Sequence, residues 1–153
     1  MIRRLATGLI LAAVLAVPAS AQNAKVSTDP QLRRTAEALL VWTMIGIDQA
    51  RATRNYSVLL GLGTAGFRKR MSARRLAADL GKIKGRGFAE FHDHLKRFPQ
   101  RLSFGRLQKA GANGLIVDAC YCPEGYHLYF RMRYRKVRNA WRIDALKVWD
   151  VVD

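Results

Sequence analysis

Arginine is the residue type whose spacing carries the first chemical inference. Along YHLYFRMRYRKV (126–137), His127, Tyr129, Arg131, Arg133 and Arg135 share one parity, and Tyr126, Leu128, Phe130, Met132 and Tyr134 share the other. A β-strand repeats every two residues, so this stretch puts guanidinium groups on one face and bulky apolar groups on the opposite face. A guanidinium is a planar fork of donors that fits a carboxylate or phosphate with two parallel hydrogen bonds. With Lys136 and Arg142 close in sequence, the expected anion-binding surface is Arg131, Arg133, Arg135, Lys136 and Arg142.

Other reactive residue types are sparse. Cys120 and Cys122 are the only cysteines, and they do not form a CxxC redox motif. A bond between them needs a distorted strand end, which Pro123 marks. The alternatives are two packed thiols, an intermolecular disulfide in an oxidising compartment, or a pair of metal ligands. His92 and His94 flank Asp93, but residues two apart on a helix diverge and do not converge on a metal or substrate. The glycine-rich run at 61–66 has no apolar strand before it and no Gly-Lys-Ser/Thr ending, so it is not read as a phosphate loop. No cofactor and no metal site is expected.

These side chains need elements to hold them. Thr28 or Asp29 is placed to cap a helix with Pro30 in its first turn. Leu32, Ala36, Leu39, Leu40, Thr43, Ile47 and Ala50 then recur at helical spacing. Val41, Trp42, Met44 and Ile45 widen that stripe until the middle of the helix is apolar nearly all round, which predicts a groove covered on more than one side. The helix is expected to end near Asn55 or Tyr56. A short second helix at 58–62 supports it, and Ser72 caps a third over 73–84. Arg68, Lys69, Arg70, Arg74 and Arg75 surround that start, opposing the helix dipole there. Phe88, Phe91 and Leu95 suggest one more short helix.

Strand patterns follow at 101–108 and 115–122, with Gly105 offering a site for a bulge, and then come the two longer strands at 126–137 and 140–152. Turn-rich stretches at 109–114, 122–125 and 138–140 separate them. In the last strand Trp141, Ile143 and Ala145 share a face while Leu146 and Val148 break the alternation, so a bulge near Ala145 is expected. Helices followed by an antiparallel meander describe an α+β fold, with N-terminal helices packed on one face of a four-stranded sheet.

Composition bounds the setting. Arg3 and Arg4 precede an apolar run at 5–17, and Pro18, Ala19, Ser20 and Ala21 end it with small residues. That pattern reads as a secretory signal at 1–21, followed by a flexible tail at 22–29 and a single domain at 30–153. The apolar run is short for a bilayer core, which needs about 20 residues, so no membrane anchor is expected after cleavage. The chain is therefore expected to be exported, periplasmic or secreted. Its formal charge of +16 favours salt-sensitive contacts with anionic surfaces and polymers. An anionic envelope component or a protein is the expected partner. Nucleic acid is disfavoured by export, although aromatic residues alternating with arginine can form stacking surfaces.

An apolar first helix, two supporting helices and a meander whose last strand carries Trp141-Arg142-Ile143-Asp144 resemble the NTF2-like superfamily. The helix start Met71-Ser72-Ala73-Arg74-Arg75-Leu76 after Phe67 adds to that similarity, which spans roughly residues 31–152. The resemblance implies a curved sheet wrapped as a cone around the first helix, with a pocket between them. It also implies that an enzymatic member, of isomerase or dehydratase type, would use a carboxylate in the cone. Asp118 or Asp48 would be the base, with Tyr129 or His127 assisting. Other members bind without reaction or dimerise through the sheet. The favoured reading is a non-enzymatic binding or scaffold protein with a basic surface. The alternatives are that enzyme, or a subunit of an envelope complex that dimerises through the face carrying Tyr129 and Trp149.

Overall fold

The computed structural model describes residues 26–83, 102–122 and 125–152. The expected leader, residues 22–25 of the expected tail, and the helical pattern containing His92 and His94 lie outside these residues. Asp29 opens helix α1 (Pro30–Thr53) by accepting hydrogen bonds from the backbone N–H groups of Gln31 at 2.9 Å and Leu32 at 3.3 Å. Proline in the first turn loses nothing there, because that N–H has no partner within the helix. The helix ends slightly earlier than the sequence suggests, where Arg54 turns into the left-handed region at φ 55°.

Two short helices follow, α2 (Ser57–Gly61) and α3 (Ala65–Arg70), the second capped by the Thr64 hydroxyl, which accepts from Phe67 N–H at 3.0 Å. Helix α4 (Ala73–Leu80) is capped by Ser72, whose hydroxyl accepts from Arg75 N–H at 3.2 Å. It stops short of the expected Lys84. Gly81 N–H bonds back to Ala77 O at 2.9 Å, closing the last turn.

Strands β1 (Leu102–Lys109), β2 (Gly114–Tyr121), β3 (Tyr126–Val137) and β4 (Ala140–Val152) form one antiparallel sheet in the order β1-β2-β3-β4. The β1–β2 register shifts between Phe104 and Arg106, around Gly105. The β3–β4 register shifts where Tyr134 faces Ile143 and Arg133 faces Ala145, leaving Asp144 as the extra residue of a bulge. The β3–β4 turn has positive φ at both Arg138 (47°) and Asn139 (65°), as a type I′ hairpin requires. Cys120 and Cys122 are joined by a disulfide with Cα atoms 5.6 Å apart. Two residues of a regular strand span about 6.8 Å, so the chain contracts as β2 ends.

Leu115, Val117, Ala119 and Tyr121 of β2 and Leu128, Phe130, Met132 and Tyr134 of β3 are buried with Leu32, Ala36, Leu40, Met44 and Ile47 of α1 in a single core. One polar tie crosses it. The Tyr134 hydroxyl meets Thr43 Oγ1 at 2.9 Å and donates to Leu39 O at 3.2 Å, while Thr43 itself donates to Leu39 O at 2.8 Å. The helices thus cover the apolar face of β2 and β3.

The cone implied by the NTF2-like resemblance is not formed. The sheet is open and uncurled, with β1 and β4 as two separate edges, and the superfamily assignment falls with it. Helix packing shows the same thing from the other side. Trp42 is 65% exposed and Ile45 37% exposed, so a stripe of the nearly all-round apolar helix stays uncovered. The sheet, Leu59 of α2 and Leu62 just after it pack on the rest. The space between α1 and the strands, bounded by Thr43, Tyr134 and Ile143, is a cavity of about 10 Å³, room for about one water. Binary patterning encodes which face of a strand is buried. It does not encode how far the sheet coils.

Each sheet edge has a short backbone cover. Ser27 N–H donates to Leu107 O of β1 at 2.9 Å, placing this part of the expected tail against the sheet. At the β4 edge, Thr64 N–H donates to Ile143 O at 2.8 Å and Ile143 N–H to Leu62 O at 3.0 Å. These bonds fix the α2–α3 connection beside the Asp144 bulge.

Candidate anion-binding face

Because the helices take one face of the sheet, the opposite face of β2–β4 carries the polar parity. Its composition changes along the strands. At one end Cys120, Tyr129 and Trp149 stand opposite one another across β2, β3 and β4. The Tyr129 and Trp149 rings stack at 5.4 Å with 12° between planes, and the Lys147 ammonium lies 5.2 Å from the Trp149 ring centroid. The next row is Asp118, Arg131 and Lys147, followed by Ile116, Arg133 and Ala145, and then Gly114, Arg135 and Arg142. The face therefore grades from aromatic to cationic.

Arg131, Arg133 and Arg135 are all exposed on it. Asp118 approaches Arg131 at 3.3 Å and Arg106 at 3.7 Å. Among the described residues no carboxylate comes within 4 Å of Arg133. Arg135 reaches the Asp144 carboxylate at 4.0 Å. In these pairs the arginine side chains are exposed while Asp118 and Asp144 are largely covered, so an anionic ligand reaches the guanidinium groups from the solvent side. A shallow depression of about 500 Å³ lies beside Arg133 and Arg135, bounded by Ile116, Gly114 and Asn113.

Arg142 stands opposite Arg135, and its guanidinium also donates to Gly61 O at 3.3 Å. Lys136 lines the same depression as Arg133 and Arg135, although its strand parity differs from theirs. It pairs with Trp141 at the hairpin tip. Two further cations, Arg106 and Lys147, belong to the face. A bulge precedes each in its strand, at Gly105 and at Asp144, and a bulge reverses the parity that simple alternation assigns. Counting positions from the far side of each bulge would have found them.

The carboxylate-centred arrangement is not assembled in a cone. Asp118 lies on the open face between two arginines, and Tyr129 and His127 stand near each other, 3.5 Å apart from hydroxyl to ring Nδ1. Asp48 is on α1 and half-buried, on a different element from the strand residues Asp118, His127 and Tyr129. The cleft of about 380 Å³ between α4 and β4 is floored by Leu76, Leu80 and Val148 and lined by none of these four residues. On its rim, Asp79 is held by Lys82 at 3.3 Å and Arg75 at 3.9 Å.

Asp144 is a structural carboxylate. It is buried, accepts from the Thr64 hydroxyl at 2.9 Å and stands 3.6 Å from Arg70, which also donates to Asp144 O at 2.8 Å. Among the described residues no group of three or more His, Cys, Asp or Glu side chains is placed to hold a metal, and no helix is long and apolar enough to cross a membrane.

Comparison with protein-family models, curated proteins and solved structures finds no match. The functional reading therefore rests on the geometry of this face.

Proposed function

We propose that the protein is a non-enzymatic binding protein whose open sheet face takes an extended anionic polymer. The observation that carries this is the ladder Arg131, Arg133, Arg135 along β3, exposed on the face the helices leave uncovered. Alternate residues of a strand are about 6.8 Å apart, so the ladder offers repeated cationic forks in a line. That suits a chain carrying regularly spaced phosphates or carboxylates better than a single small anion. Lys147 and Arg142 widen the track onto β4. Export, expected from residues 1–21, would bring acidic glycans and phosphate polymers of the envelope within reach.

The test is calorimetric titration with inorganic polyphosphate and with an acidic polysaccharide. Taking three charge contacts and the single-strand salt slope, affinity should fall roughly 40-fold between about 0.05 and about 0.3 M salt. The triple substitution Arg131→Gln, Arg133→Gln and Arg135→Gln should remove most of the binding without unfolding the chain, because all three side chains are outside the core. Binding indifferent to salt and to the triple substitution would refute the reading.

A further inference from the structure

A second surface, on the helix side of the sheet, combines exposed apolar groups with cations. Trp42 and Trp141 line one small recess where α1 meets the β3–β4 hairpin. Trp42 is 65% exposed, Ile45 on α1 and Val58 on α2 are exposed as well, and Val137 is 41% exposed at the hairpin tip. Lys136 pairs across the hairpin with Trp141, and Arg138 occupies the turn itself.

The α2 and hairpin parts of this surface carry charge of one sign, while α1 also carries Glu37 and Asp48. No acidic residue occurs between Asp48 and Asp79, or between Glu124 and Asp144, the two stretches that supply α2 and the hairpin. Arg34 adds a cation on the exposed side of α1. Backbone conformation gives an independent observation. Arg138 has φ 47°, a region where glycine or asparagine is at ease and a long side chain is strained. The turn thus holds a cation at its tip at a conformational cost.

We propose that this surface docks on an anionic lipid bilayer. Trp42 would enter the boundary between headgroups and acyl chains, and Lys136 and Arg138 would meet lipid phosphates. Tryptophan is suited to that depth because its ring is apolar and its N–H polar, and cations beside it draw the protein to a negative leaflet. Charge complementarity selects this occupant. A purely apolar partner would leave Lys136 and Arg138 without counter-charges. The residues are distinct from the sheet-face ladder, so the two surfaces can be tested separately.

The experiment is vesicle co-sedimentation of the whole protein with phosphatidylglycerol–phosphatidylcholine vesicles and with pure phosphatidylcholine vesicles. Polyphosphate titration is run in parallel. Binding is expected to the anionic vesicles and not to the zwitterionic ones, with a blue shift in tryptophan emission. Trp42→Ser should weaken vesicle binding at least about tenfold, because a large ring is lost from the interface, and should leave polyphosphate affinity unchanged. Arg138→Gly should weaken it about fivefold while the chain stays folded, since glycine accepts the turn conformation.

Equal vesicle binding by wild type and Trp42→Ser, or equal binding to both vesicle types, would overturn the proposal. Polyphosphate binding without vesicle binding would overturn it while the sheet-face reading stands. Failure of both ligands would remove both.

Discussion

Tyr134 ties the helix layer to the sheet through a single buried hydroxyl. Tyr134→Phe removes its bonds to Thr43 Oγ1 and Leu39 O but leaves Thr43 donating to Leu39. The cost should be about 1 kcal/mol, read as a lower urea midpoint at unchanged slope. The same group makes stability depend on pH. Burial holds the Tyr134 phenol well above its ordinary value, with the Thr43 hydrogen bond opposing the shift. Burial, reinforced by the Asp150 charge and opposed by Arg51, pushes Tyr126 up to about 12. Unfolded phenols release protons near pH 10, while these two keep theirs when folded. Raising the pH past about 10 therefore favours the unfolded state. Thermal melts between pH 8 and 11 should show wild type losing more stability than the Tyr126→Phe, Tyr134→Phe double variant. Equal losses would rule out these phenols as the cause.

Among the elements, the α2–α3 connection shows how tightly the helices are set against the β4 edge. Gly63 bridges to Ile143, and a Cβ there would collide with the buried Phe67 ring. Gly63→Ala should destabilise by about 1–3 kcal/mol, as overpacking does, visible as a lowered melting temperature. The sequence shows glycines in this stretch but nothing of Phe67 folding back over one of them. Element identity was legible where periodicity was strong. The alternation from Tyr126 to Tyr134, the Asp29–Pro30 start of α1 and the Ser72 cap all read directly from residue types. Bulges were legible only in part. Broken alternation pointed close to Asp144, yet the parity flip that brings Lys147 onto the cationic face needs the register itself.

At the scale of the molecule, the sequence and the structure part over curl. The apolar girth of α1 suggested a wrapped helix, and the order of elements suggested a cone. Coiling of a sheet is a sum of small twists and bulge geometries that binary pattern does not carry. An open sheet has two consequences here. It leaves Trp42 uncovered on one side of the molecule, and it presents the arginine ladder as an accessible surface on the other. A net charge of +16 alone would not choose between cationic regions. The cluster from Arg68 to Arg75 is a competing region, but part of it is committed to structure. Arg68 donates to Gly63 O at 2.7 Å, and Arg70 is bound to Asp144.

The most direct test is side-chain Arg Nε–Hε NMR during titration with inorganic polyphosphate at low salt. Shifts concentrated on Arg131, Arg133 and Arg135, fading as salt is added, are the predicted result. Shifts centred on Arg68, Arg74 and Arg75, with the β3 arginines unmoved, would place the anion elsewhere and contradict the account.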